Sequence, residues 1–572
     1  MFKIMRNAVS GASDADTADA AADAADETEY VVQRPVVGMV VDMAETNWVG
    51  GLLPVIETPR FPYSRPDFLY FSEDEIHLSG DQTTRPVVVP KYANRMPLFA
   101  GYAETINAGK TDKNEDQASA RVLNLVQTGY NKSDETNNSS GTVQQAPTPF
   151  VARKSSAAKR QRASSECRQP ETETQPDEVV ERSRRHSGDD DMLTEVKIRS
   201  YSVEDGPATP RSEAVFFGIF DGHAGTGAAV VSANCLHEHV RERLCQVLET
   251  LLHLDRQEQL LGYCSGSPTV CSPNGKPLTR DSLVIGAVET AFVEMDDQIS
   301  EEKMLWRIAG GCASCVALIF LGKIYVANAG DCRAVLCCQD RIEQLTDDHT
   351  PENERKRLQF LAYRNPEWLA NSFSRLEYSR FLTRKDVKKK VLYRDWFMDG
   401  WAAKTVRDYD LRPPLISDGP RKRRLLNTIG VTRGFGDHHL MTLDDKIPIK
   451  PFLSPVPEVR VFDLNQLDKV TDRDVVILAS DGLWDVLSNE EAASIVQSAL
   501  SQPDLDETTK YTLAAQDLVI AARGNPTGTG RWHLQGGRGS ASTDDITVFL
   551  VPLKYALAPP TFDDDDDVEI LQ

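Results

Sequence analysis

The sequence predicts an α+β layered fold, and three observations carry that prediction. β-branched and aromatic runs begin or end at Asp/Gly turns, two long stretches show helical periodicity, and the strands do not alternate regularly with helices as a doubly wound sheet requires. The strand segments are VFFGIFDG (215–222), SCVALIFLGKIYVANAGD (314–331), DVVILASDG (474–482) and TDDITVFLVPL (543–553). Helical patterning covers 228–252 and 283–299, where Ile285, Val288, Phe292, Met295 and Ile299 mark one face of the second stretch.

Around these elements the chain divides by composition. Residues 1–57 form an acidic, disordered N-terminus with an Ala/Asp run at 11–29; 58–130 and 212–553 carry the folded domain; 131–211 is a disordered insertion; 253–281 is a loop insertion; 353–425 is a basic, aromatic-rich lobe; and 556–572 is an acidic tail ending in DDDDDVEI. In the 131–211 insertion, Arg precedes Ser164, Ser165 and Ser187, which suits a basophilic kinase; a solvated linker with incidental basic clusters accounts for the same residues.

The 572 residues hold 86 Asp and Glu against 64 Lys and Arg, a net charge of −22, which argues against a general nucleic-acid coat or attachment to membranes by bulk charge. No run of about eighteen apolar residues occurs, so no spanning helix is expected. Residues 1–10 lack the apolar core of a secretory signal, and Phe2 excludes myristoylation. The ten cysteines are irregularly spaced. Cys312 and Cys315 form a lone CxxC without the second pair that zinc would want, and read as small strand residues. A reducing, cytoplasmic setting follows, with membrane association and the nucleus left open.

The chemistry lies where strands stop. Asp221, Asp331, Asp481 and Asp544 each flank an apolar strand, and Glu115 and Asp116 sit in KTDKNEDQ. A single Asp-Gly after a strand is usually only a turn. If six such edges converge, the anions repel by several kcal/mol and require cations. An all-oxygen donor set means a hard ion, Mg²⁺ or Mn²⁺. Two such ions about 3.5–4 Å apart share a bridging water, lower its pKa and aim it at phosphorus.

With NEDQ (114–117), FGIFDGHAGTGAA (217–229), GGCASCVALI and YVANAGDCRAVL (310–336), LTDDHTPE (345–352), TIGVTRGFGD (428–437), ILASDGLWDVLSNEE (477–491) and STDDITV (542–548) in this order, the chain resembles the metal-dependent protein phosphatases of type 2C. The resemblance implies a four-layer αββα sandwich of two antiparallel sheets flanked by helices, with metals in a cleft at one edge. It implies that Asp221 bridges two metals, that the Gly222 carbonyl binds one, that Glu115 supports the second with Asp116 orienting its waters, and that Asp481 and Asp544 hold the first. Asp331 and Asp485 match the ligands of a weaker third ion. His223 is implied as the general acid for the departing Ser or Thr oxygen, a role that an ordinary pKa of about 6.5 suits. The resemblance also implies hydrolysis by direct attack of a metal-activated water, without a phosphoenzyme.

Three departures stand out: Lys110 replaces the family's phosphate-clamping Arg with a point charge, Ala313 stands where a Thr is usual, and Asp545 where Asn is common. None removes an implied ligand. A catalytically weak pseudophosphatase scaffold that binds phosphoproteins is the alternative, and its signature would be missing ligands.

From Arg355 to Arg424 the lobe carries 19 Lys and Arg against 8 Asp and Glu, with eleven aromatics between Phe360 and Tyr409. Such a surface suits docking of an acidic phosphoprotein, favoured over nucleic acid because the resemblance places the lobe beside the cleft as the family's flap; a charged lobe with its own small core also fits. RFPYSRPDFL (60–69), GYAETINAGK (101–110) and ERKRLQFLAYRNPEWL (354–369) resemble the H/J/M branch, which implies phosphorylated Rab-type small GTPases as substrates. Phe2, Ile4, Met5 and Val9 around Lys3 and Arg6 match a short amphipathic membrane contact within residues 1–10, or a frayed terminus.

Overall fold

A computed structural model describes residues 61–127, 211–261, 270–271, 277–419, 422–467, 469–527, 531–537 and 539–557. The N-terminal segment, the Ser164, Ser165 and Ser187 region and the Asp-rich tail lie outside them. Among the described residues no helix is long and apolar enough to cross a membrane.

The main strands are β1 (Gly101–Thr105), β2 (Gln117–Val126), β3 (Arg211–His223), β4 (Gly311–Phe320), β5 (Lys323–Ala329), β6 (Arg333–Cys337), β7 (Ile342–Gln344), β8 (Glu458–Asp463), β9 (Val475–Ala479) and β10 (Ile546–Pro552). One antiparallel sheet has the order β1-β10-β9-β6-β7, and the other β8-β5-β4-β3-β2, with the short strand Phe435–Gly436 also on β4. Helices α1 (Gly227–Leu261) and α2 (Arg280–Trp306) cover the second sheet, and α3 (Asn489–Leu500) and α4 (Lys510–Arg523) the first. This is the four-layer α+β sandwich.

Burial on both faces explains why the central strands read as continuous apolar runs. Along β3, Phe217 and Ile219 join Val335 and Phe549 between the sheets, while Phe216 and Phe220 join Leu236 and Phe292 under the helices. Each buried Phe contributes roughly 2–3 kcal/mol. The same alternation sends Cys315 to the inter-sheet core and Cys312 to the helix side, so the CxxC pair faces opposite ways and burial raises both thiols. The run at 314–331 is a hairpin: Leu321 and Gly322 both have positive φ, as a two-residue turn between twisted strands requires.

Two expectations shift. The loop expected over 253–281 is shorter, because α1 continues to Leu261. Leu251 and Leu254 extend the buried stripe of Leu244 and Leu248, and Asp255 pairs with Arg280 at the start of α2. On α2 the buried stripe is Val284, Val288, Phe292, Met295 and Ile299, with Ile285 at its margin.

The flap packs Leu358, Phe373, Leu415, Ile416 and Leu425 into a separate core that Ile449 and Phe452, from the segment after it, complete. Six of its acids are held in internal ion pairs: Glu377, Asp386, Asp395, Asp399, Asp410 and Asp418. Arg384, Lys385 and Lys388 to Lys390 remain exposed, beside Phe381, which is 79% exposed.

Candidate metal centre and phosphate site

The six carboxylates converge at one edge of the sandwich because five strands end there. Glu115 and Asp116 precede β2, Asp221 lies near the end of β3, Asp331 follows β5, Asp481 follows β9 and Asp544 precedes β10. Oxygens of Asp221, Asp331 and Asp481 lie within 4.8 Å of one another. The charges of Asp481, Asp116, Asp331 and Asp544 all bear on Asp221. Close backbone approach makes this possible. A Cβ on Gly222 would stand 2.4 Å from the Glu115 carbonyl oxygen, and one on Gly482 1.8 Å from that of Asp545, so only glycine lets these strand ends meet.

Neighbouring donors fix the acids. Asp116 accepts from Ser480 Oγ at 2.7 Å, and Arg65 donates to the Asp116 carbonyl at 2.8 Å. Glu115 accepts from the Gly225 amide at 2.7 Å. Asp545 is an anchor rather than a free acid: it accepts from the amides of Asn107 at 2.9 Å and Glu115 at 3.2 Å, tying the β2 and β10 loops together. Arg85, fully buried, donates to the carbonyls of Ile106 (2.6 Å), Ser542 (2.7 Å) and Asp544 (2.8 Å).

The electrostatics demand cations. Burial first, then the Asp481 charge, drives the Asp221 carboxyl well above the usual range and that of Asp331 to about 7. Burial likewise raises Asp116, Glu115 and Asp485, and takes Asp545 to about 7. Two ammonium groups stand against the cluster. Lys110 Nζ lies 2.7 Å from both oxygens of Asp544. Lys422 Nζ lies 2.5 Å from Asp481, 3.1 Å from Asp485 and 3.3 Å from Asp331. An all-oxygen set of crowded, partly buried acids that draws in lysines fits hard divalent ions, Mg²⁺ or Mn²⁺.

His223 sits beside this cluster, paired in register with Gly311 on β4. Its Nε2 is 2.7 Å from Asp437 Oδ2. Burial disfavours its charge, but the Asp437 hydrogen bond and the charges of Asp437, Asp331 and Glu115 outweigh that and raise its pKa. Gly311 leaves space for the pair, since a Cβ there would stand 2.3 Å from Asp437 Oδ2.

The structure therefore gathers Glu115, Asp116, Asp221, Gly222, His223, Asp331, Asp481, Asp485 and Asp544. Lys110 is present too, with its Nζ on the Asp544 carboxylate. Sequence reading passed over Lys422, Asp437 and Arg85. Asp437 was within reach as the last residue of TIGVTRGFGD; Lys422 was one cation among nineteen in the lobe, and nothing local marks Arg85.

Residues 179–407 and 412–527 match the family model described as Protein phosphatase 2C. The chain is 40% identical over 521 residues to Protein phosphatase 1H of Mus musculus, covering 86% of this chain and 91% of that protein. It is 37% identical over 509 residues to Protein phosphatase 1J of Rattus norvegicus, covering 87% of this chain and 86% of that one. Among solved structures, the serine-threonine phosphatase 2C from Toxoplasma gondii aligns over 59% of this chain and 84% of that chain at 20% identity, with a TM-score of 0.32.

Proposed function

The chain belongs to the protein phosphatase 2C family and is a protein serine/threonine phosphatase of a Mg²⁺- or Mn²⁺-dependent kind, and on that premise we propose that it hydrolyses phosphoserine and phosphothreonine at a centre for two divalent ions, with a third held more weakly. Asp221 and the Gly222 carbonyl, with Glu115, Asp116, Asp481 and Asp544, would hold the pair, and Asp331 and Asp485 the third. The observation that carries this reading is the approach of Asp221, Asp331 and Asp481 to within 4.8 Å beside an ordered histidine. Bound divalent ions supply a lowered water pKa and charge neutralisation at the phosphoryl oxygens.

The chain's own groups do the rest. Lys110 moves its point charge from Asp544 to a phosphate oxygen. Asp437 holds His223 through Nε2, which leaves Nδ1 to give its proton to the departing Ser or Thr oxygen. The exposed cations at Arg384, Lys385 and Lys388 to Lys390 give the flap a face for an acidic phosphoprotein, and the branch resemblance makes a phosphorylated Rab-type GTPase the substrate of choice. We place the enzyme in the cytoplasm, with residues 1–10 as a membrane contact. A non-catalytic scaffold would be expected to have lost acids, and every implied ligand is in place.

One experiment tests this function, comparing a phosphothreonine-bearing Rab-type GTPase with p-nitrophenyl phosphate in the presence of Mn²⁺. The wild type turns over both. His223→Gln loses about 100-fold on the phosphothreonine protein and far less on the aryl phosphate, whose leaving group needs little protonation. Equal losses would remove His223 as the acid, and an intact GTPase beside rapid aryl phosphate cleavage would remove the substrate assignment.

A further inference from the structure

Lys422 lies two residues before Arg424 in the hairpin made by Ile416–Ser417 and Arg424–Leu425, a flap element. Its backbone runs close to Gly419: a Cβ there would stand 2.2 Å from the Lys422 carbonyl oxygen. The next residue, Arg423, is bolted to Glu377 at 3.1 Å and to Asp418 at 3.3 Å. From this base the half-buried Lys422 side chain reaches out of the flap into the catalytic body. There its ammonium, which has three protons to donate, meets three carboxylates: Asp481 at 2.5 Å, Asp485 at 3.1 Å and Asp331 at 3.3 Å. They line a cleft with Arg333, Asp348 and Trp484.

We propose that Lys422 is a built-in cation for the Asp331–Asp481–Asp485 trio and competes there with a divalent ion. The reasoning is steric and electrostatic. Mg²⁺ and Mn²⁺ need carboxylate oxygens directed at the ion within a near-octahedral set. An ammonium already 2.5 Å from Asp481 Oδ2 occupies that approach, so an ion entering the trio must expel the lysine. Three acids outnumber one ammonium, so the trio keeps affinity for a divalent ion but at a reduced level. Lys422 is thus a positioning residue that sets how many ions the centre holds, and the flap sequence determines it. The inference rests on the metal-dependent reading above.

The test counts Mn²⁺ by electron paramagnetic resonance of the free ion, titrating metal-stripped wild type, Lys422→Met and Lys422→Arg, with circular dichroism verifying the fold. In Lys422→Met the weakest Mn²⁺ site is expected to tighten by about tenfold or more, and the tighter site that shares Asp481 does not weaken. Lys422→Arg keeps the wild-type isotherm. Adding Asp485→Asn to Lys422→Met should abolish the gain, which locates it at the trio. Superimposable isotherms for wild type and Lys422→Met, or a weaker last site in the variant, would overturn the proposal. Absence of Mn²⁺ binding by every variant and by wild type would instead overturn the phosphatase reading beneath it.

Discussion

Asp221→Asn is expected to reduce phosphatase activity on the order of 10³-fold or more, and at the same time to raise the melting temperature of the metal-free protein. Both follow from one position. The Asp221 carboxyl is the partly buried group on which the charges of Asp481, Asp116, Asp331 and Asp544 converge. Asparagine keeps the shape and removes the repulsion, but gives up the negative oxygen on which cation binding depends. The pH sign is fixed by the direction of the shifts. An acid whose folded pKa lies above its unfolded value binds more protons when folded, so metal-free stability falls as pH rises. With unfolded carboxyls at about 4 and Asp331 at about 7, that fall spans roughly pH 4 to 7, and the advantage of Asp221→Asn is greatest above it. Added Mn²⁺ reverses the order, raising the wild-type transition by mass action and leaving the variant's nearly unchanged. Calorimetry with and without chelator reads both signs; a variant that melts below metal-free wild type at pH 8 would show that the acids do not strain the fold.

Arg85→Met should cost about 3–5 kcal/mol of stability. The guanidinium is wholly buried, holds three carbonyls from two distant segments, and lies over the Trp532 ring at 5.2 Å. Burial pushes its pKa down to about 10, so it remains charged at neutral pH and makes charge-assisted bonds. Methionine fills much of the volume and satisfies none of the carbonyls. Because one of those carbonyls belongs to Asp544, activity should fall in the fraction that stays folded. Arg85→Lys, which keeps charge but loses the planar fork, should be intermediate. Urea unfolding decides, and a loss below about 1 kcal/mol would mean the bonds are replaced by solvent.

Much of this was legible in the chain because it is written locally. The acids stand beside apolar strands, and the Gly residues that let those strand ends meet are their neighbours in sequence, as Gly222 is to Asp221 and Gly482 to Asp481. The two-sided burial of β3 and β4 makes their segments read as strands without alternation. What the sequence did not disclose is long-range pairing. Lys422 lies 59 residues from Asp481, and Arg85 lies 459 from Asp544. Neither side chain has a neighbour that marks it, and each is set apart from other basic residues only by what the fold brings against it. Lys110 shows the converse: its position near NEDQ was readable, but its engagement with Asp544 came from a strand end more than 400 residues away. The extra turns of α1 beyond the expected loop boundary depend on Leu254 finding the core and Asp255 finding Arg280, both tertiary facts.

The central claim is that these converging acids exist to hold divalent ions for phosphate ester hydrolysis. The most direct measurement is phosphate release from a phosphothreonine protein by chelator-stripped enzyme before and after a Mn²⁺ titration. The account predicts negligible release without metal, saturable activation by Mn²⁺, and renewed loss on adding chelator. Full turnover by the stripped enzyme, or none at saturating Mn²⁺ with the fold intact, would contradict it.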